Sequence, residues 1–179
     1  MLGVRCGASE QLLAVSVADF SRFVEATGYV TDSEKFGWSI IQEDVYRFRT
    51  EEGATWRLPN AVDSASANFP VTQVSYNDAV AYCAWSNTRL PSYREYWKLT
   101  AKDQRPINQN SNAILPLEKT NHVGNVWEIT TTQDAIGQIR LAGGSYLCNP
   151  YTCNGTSADR RLFVDKTTGN IHISFSVIK

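Results

Sequence analysis

The chain has 179 residues, 42% apolar and 11% aromatic, enough to bury a sizeable core, which disfavours both a disulfide scaffold and wholesale disorder. Lys and Arg number 17 against 18 Asp and Glu, a formal net charge of −1 with no polybasic block, so the composition argues against a nucleic-acid partner. No apolar run approaches the roughly 18 residues of a membrane span, and the first ten residues lack the basic region and apolar core of a secretion signal. The expectation is a cytoplasmic protein without a membrane partner.

Phe20, Phe23, Val24 and Thr27 recur at helical spacing behind Ser16 to Asp19, and Gly28 suits the position after a helix end, which predicts a helix over 17–27. A short strand is expected at 54–58. Ser75 and Asp78 form a capping pair ahead of Ala79 to Trp85, predicting a helix over 76–86. Ser92 and Glu95 repeat the device as S-x-x-E after Pro91 and predict a third helix over 93–102. Trp85 and Trp97 on these helices read as core.

Beyond Lys102 the composition turns to Asn, Gln, Pro and Ser, which reads as loop, with short strands expected at 126–130 and 138–142. The tail alternates Ile171, Ile173, Phe175 and Val177 with His172, Ser174 and Ser176, the period of a half-buried strand after a turn at 168–170. No repeat, low-complexity tract or linker divides the chain. Few helices, several short strands and much loop predict a single irregular α+β domain over 1–179.

Four cysteines stand at 6, 83, 148 and 153, too sparse for a secreted framework and not spaced as a zinc site. Cys6 and Cys83 read as small buried hydrophobes or incidental thiols. Cys148 and Cys153 form a local C-x4-C pair, and spacing alone suits a disulfide closing a short loop.

Seven segments stand out in order: Asp19 to Thr31 with Ser33 to Ser39, Gly53-Ala54-Thr55-Trp56-Arg57-Leu58-Pro59, Pro70 to Trp85, Arg89-Leu90-Pro91-Ser92, Gly124-Asn125-Val126-Trp127-Glu128, Gly143-Gly144-Ser145-Tyr146-Leu147-Cys148 and His172-Ile173-Ser174-Phe175. Together they resemble the formylglycine-generating enzyme, or sulfatase-modifying factor, family, and the resemblance covers roughly residues 15–178. It implies a C-type-lectin-like architecture of twisted antiparallel sheets, flanking helices and much ordered loop. Because that fold also serves to display ligands, the site must decide the function.

The position of the C-x4-C pair after Gly143 to Leu147 is where the resemblance implies a copper site: Cys148 and Cys153 as soft thiolate ligands for Cu(I), with a position left open for the cysteine of a target protein or peptide. The implied reaction is copper-dependent, O2-consuming conversion of that cysteine to Cα-formylglycine. Ser145 and Trp127 match active-site positions of the family, and Arg161 lies at the spacing of a family arginine. Asn121, Gly124, Val126 and Glu128 match a structural calcium site, a sensible oxygen-donor set for a hard cation. The family's other calcium site would fall between Lys102 and Thr120, where no ligand set is evident.

The chain departs from the family's pattern at Asn149, Thr152 and Asn154, where His, Tyr and Arg are usual, at Ile129 in place of a second tryptophan, and at Ser174 and Ser176 in place of the Gly and Arg of a closing G-F-R. A glycine-rich segment usual near the start of family members is also missing. These departures imply a recognition other than that of the usual C-x-P-x-R target. The competing reading is a non-catalytic display protein whose loop over about 146–170 presents a variable ligand surface. Glycan binding through the Asn121 to Glu128 site is a weaker third.

Overall fold

The computed structural model describes residues 10–109, 111–149, 151 and 153–179. Cys6 lies outside them. In chain order the elements are β1 (Leu12–Ala14), α1 (Val17–Thr27), α2 (Asp32–Phe36), β2 (Trp38–Gln42), β3 (Phe48–Glu52), α3 (Tyr76–Ser86), α4 (Tyr93–Thr100), β4 (Trp127–Gln133), β5 (Ile139–Ala142), β6 (Phe163–Val164), β7 (Ile173–Ser174) and β8 (Ser176–Ile178). A 3-10 turn, Leu117–Lys119, interrupts the long loop before β4.

Among the described residues, each of the four α-helices opens on the same chemistry. Ser16 with Asp19, Thr31 with Glu34, Ser75 with Asp78 and Ser92 with Glu95 exchange side-chain and backbone hydrogen bonds that satisfy orphan amides of the first turn. Helices α1 and α3 coincide with their predicted spans, whereas α4 stops at Thr100, two residues early. Helix α2 is not among the expected elements. Its five residues show no apolar periodicity, and its signal is the Thr31–Glu34 pair followed by Gly37, which takes the left-handed conformation at φ 76°.

The strand expected at 54–58 does not form. Its place is taken by the β2–β3 hairpin, which ends at Gly53 (φ 76°); Thr55 then turns back to donate to the Leu58 carbonyl at 3.1 Å. Trp56 leaves the ladder altogether and plugs the core against Phe20, 5.2 Å between ring centroids. The strands expected at 126–130 and 138–142 appear as β4 and β5, antiparallel neighbours in a sheet of order β6-β5-β4-β7.

The tail also departs from expectation. It is two short strands, β7 running parallel to β4 and β8 antiparallel to β1, so the chain passes from one sheet to the other at Phe175. Neither of its faces meets solvent: Phe175 and Ser176 are 0% exposed, Ser174 2% and His172 8%. A half-buried strand is therefore the wrong reading, because a segment shared by two sheets is covered on both sides.

Phe20 and Phe23 from α1, Tyr82 from α3, Trp56 and Phe175 form the aromatic centre of the main core. Burying each such ring contributes about 1.5–3 kcal/mol. Trp85 is not core: it is 42% exposed at the cluster's edge, touching Phe23 and Tyr82. Trp97 is partly buried, against a smaller cluster around Tyr93 and Tyr96. Cys83 is buried and unpaired, and burial raises its thiol pKa to about 11, which makes it a packing residue rather than a nucleophile.

One buried polar residue fixes the hairpin relative to this core. Gln73, at φ 60° and fully buried, accepts from Ser39 Oγ at 2.6 Å and donates from Nε2 to the carbonyls of Ile40 (3.1 Å) and Pro59 (2.7 Å). Ile171 N–H adds a 3.0 Å bond to the Ile40 carbonyl. Strand β2 is thereby held beside the loop that carries the cysteine pair.

Candidate active site

A cavity of about 390 Å³ lies between the β2–β3 hairpin and the sheet of β4, β5 and β6. Ile40 and Phe48 of the hairpin, Leu141 of β5 and Phe163 of β6 form apolar walls, with Trp127 from the start of β4. Ser145, Cys148, Cys153 and His172 complete it. This volume falls in the range of ligand pockets, about 300–1,000 Å³.

The loop after β5 can reach this position only because of its glycines. Gly143 (φ 87°) and Gly144 (φ 73°) both take left-handed backbone, and a Cβ on Gly144 would stand 2.6 Å from the carbonyl carbon of Gly155. This close approach brings together the two arms of the loop. Cys148 N–H donates to the Ser145 carbonyl at 2.8 Å, and Cys153 N–H to the Asn149 carbonyl at 3.1 Å. The two cysteines are joined as a disulfide with Cα atoms 5.1 Å apart, and both are nearly covered, at 2% and 7% exposure.

Ser145 and His172 form a second pair. Ser145 Oγ and His172 Nδ1 lie 3.2 Å apart, while the Ser145 amide points at Cys148 Sγ from 3.5 Å. Burial pushes the His172 pKa down to about 3, so the ring is neutral across the physiological range. Sequence reasoning misses His172 as a site residue. The available signal is a lone histidine on the polar side of a tail that proves to be buried on both sides.

Cys148, Cys153, Ser145 and Trp127 are thus brought together, but Arg161 is not: it is exposed and does not line the cavity, whereas its neighbour Arg160 does. Asn154 is exposed at φ 46°, Ile129 is core at 1% exposure, and Thr152 lies outside the described residues. Among the described residues, no group of three or more His, Cys, Asp or Glu is placed to hold a metal. A metal in the cavity would therefore rest on the two sulfurs, a donor set matched to a soft ion of low coordination number.

On the far side of β4, Asn121, Val126 and Glu128 line a cavity of about 20 Å³ together with His122 and Arg105. Gly124 does not line it; its φ of 94° and its contact with the Asn108 carbonyl, 3.1 Å from where a Cβ would sit, account for the glycine. Glu128 Oε1 lies 3.4 Å from His122 Nδ1, which also approaches Ser176 Oγ at 3.2 Å. Glu128 Oε2 is buried without a hydrogen-bond partner, as an oxygen awaiting a cation would be. Asn121 Oδ1 accepts from Val123 N–H at 2.9 Å and retains a second lone pair.

The fold is that of an irregular α+β domain carrying a cysteine pair in a loop-bounded cavity. Residues 11–106 match the sulfatase-modifying factor enzyme 1-like domain, and the chain belongs to that family. It is 36% identical over 135 residues to the formylglycine-generating enzyme of Mus musculus, covering 64% of this chain and 36% of that protein. It is 32% identical over 163 residues to that of Thermomonospora curvata, covering 79% and 52%. A protein named inactive C-alpha-formylglycine-generating enzyme 2, from Bos taurus, is 36% identical over 110 residues, covering 51% and 36%. The chain thus spans between about a third and about half the length of these curated relatives. The fold also matches the structure of PvdO from Pseudomonas aeruginosa with a TM-score of 0.65 at 15% identity, over 92% of this chain and 77% of that one.

Proposed function

We propose that the chain is a copper-dependent oxidase that converts a cysteine side chain of a target protein or peptide to Cα-formylglycine. The observation that carries this reading is the placement of Cys148 and Cys153, sulfurs adjacent, in an apolar cavity next to Ser145 and Trp127. Reduced to thiols, the pair would hold Cu(I), which when bound supplies the O2 chemistry.

The protein's own part is binding and orientation. Trp127 and the aliphatic walls exclude water around a substrate thiol. The Ser145 amide is aimed at Cys148 Sγ, and neutral His172 holds the serine hydroxyl. In the net reaction the substrate's Cβ–S bond breaks and the sulfur leaves as hydrogen sulfide. One oxygen atom of O2 enters the aldehyde and the other leaves as water, with two electrons and two protons from a thiol reductant closing the balance.

The same reading places Ca2+ against Glu128, Asn121 and the Val126 carbonyl, with Gly124 shaping the turn; the unpartnered Glu128 Oε2 is the support for it.

The test is incubation of reduced, copper-loaded protein with O2 and cysteine peptides, followed by mass spectrometry for the loss of hydrogen sulfide and gain of one oxygen atom. Aldehyde that disappears in a Cys148→Ser/Cys153→Ser variant supports the oxidase. The second reading is a non-catalytic display domain, favoured by the similarity to a relative named inactive C-alpha-formylglycine-generating enzyme 2. It predicts no Cu(I) uptake by the reduced protein and no aldehyde.

A further inference from the structure

The charge in the cavity wall has a sign. Apart from the cysteines, the titratable groups lining it are Arg160 and His172, and His172 is held neutral. No Asp or Glu lines it, and none of residues 1–9, Asn110, Pro150 and Thr152 is acidic, so no carboxylate is overlooked. The nearby hairpin carboxylates Glu43 and Asp44 are already engaged by Arg49 and Arg47, and Asp165, next to the lining residue Val164, accepts from Thr167 and Thr168 and lines the neighbouring cavity with Phe36 and Trp38 instead.

Arg160, by contrast, is in no salt bridge with any described carboxylate, and neither are Arg140 and Arg161. Its backbone is held firmly. The Tyr93 hydroxyl donates to the Arg160 carbonyl at 3.1 Å and to the Ala158 carbonyl at 2.8 Å. Arg140 stacks over the Tyr93 ring at 3.5 Å and donates to the same Arg160 carbonyl at 3.2 Å. Arg160, in no ion pair with a described carboxylate, therefore lines the cavity from a pinned stretch of chain, together with walls of Ile40, Val45, Phe48, Leu141, Leu162 and Val164.

We infer that the cavity selects a cysteine set among apolar residues in a peptide that also carries an acidic side chain, which pairs with Arg160. A basic residue at the same place in the peptide meets a like charge and no carboxylate of the cavity lining. The inference rests on reading this cavity as the thiol-substrate site, and it concerns which peptide enters rather than what happens to it.

Binding is therefore measured apart from turnover. Fluorescently labelled heptapeptides carry serine in place of the reactive cysteine, Leu and Val around it, and Asp, Gln or Arg three positions further on. Their Kd values are read by anisotropy on the reduced protein at low and high salt. The Asp peptide binds tightest and the Arg peptide weakest, each step amounting to about fivefold or less for a solvent-exposed pair, and the ladder flattens at high salt. Arg160→Glu, an exposed substitution, reverses the order, while Arg161→Glu keeps it. Replacing Leu and Val in the peptide by Ser and Asn weakens binding of all three.

No saturable binding, equal Kd values, a tightest Arg peptide in the wild type, or an order unmoved by Arg160→Glu would each overturn the inference. Cysteine versions of the peptides, assayed for aldehyde, test the oxidase separately: an intact binding order without aldehyde refutes the oxidase and keeps the selectivity.

Discussion

Replacing His172 by Asn should make the protein less stable at neutral pH yet less sensitive to acid. The ring is 8% exposed and its folded pKa is about 3, against an ordinary value of 6.5. Below pH 6.5 the unfolded chain takes up a proton that the folded chain refuses. Folding stability therefore falls by about 1.4 kcal/mol per pH unit from there toward pH 3. Between pH 7 and pH 5 this one residue should cost the wild type about 2 kcal/mol, with no discount for solvent screening because the ring is buried. His172→Asn lacks that slope but loses the Ser145 contact and some packing, about 1 kcal/mol at pH 7. Urea melts at the two pH values measure the difference directly. The gap between wild type and variant should close or change sign at pH 5, and a gap of equal size at both would refute a neutral, buried His172.

Reducing the Cys148–Cys153 bond should lower stability by about 2 kcal/mol, the loop-closure entropy of so short a ring, readable as a drop in Tm with dithiothreitol that Cys148→Ser does not show. Gly155→Ala would place a methyl 2.6 Å from Cys148 Sγ and 3.0 Å from Trp127, so about 1–3 kcal/mol of destabilisation is expected together with weakened Cu(I) uptake. Calcium should raise the Tm of the wild type but not of Glu128→Gln; if it raises neither, the calcium assignment fails. Copper uptake by the reduced protein should decline as the pH falls and the thiolates are protonated, checked by Cu(I) competition titrations between about pH 8 and pH 6.

Local chemistry is enough to read α1, α3 and α4, whereas the five-residue α2 carries no apolar periodicity to announce it. Ser16, Ser75 and Ser92, each three residues ahead of an acid, satisfy orphan amides of the turn they open, and Gly28 ends α1 by a conformation it reaches without help from elsewhere. The cysteine pair is equally legible, because one short run of consecutive residues spans it, and so is its neighbourhood with Ser145. The structure decides what depends on partners distant in sequence. Trp56 leaves an expected strand because Phe20 offers it a core site, and the tail loses its solvent face because it serves β4 on one stretch and β1 on the next. His172 reaches Ser145, and Arg160 rather than Arg161 reaches the cavity wall, through the path of a loop whose Gly144 and Gly155 backbones touch. Alternation and spacing describe one segment at a time, whereas a buried polar pair and the charge at a cavity rim are properties of segments brought together, so only the tertiary fold could supply them.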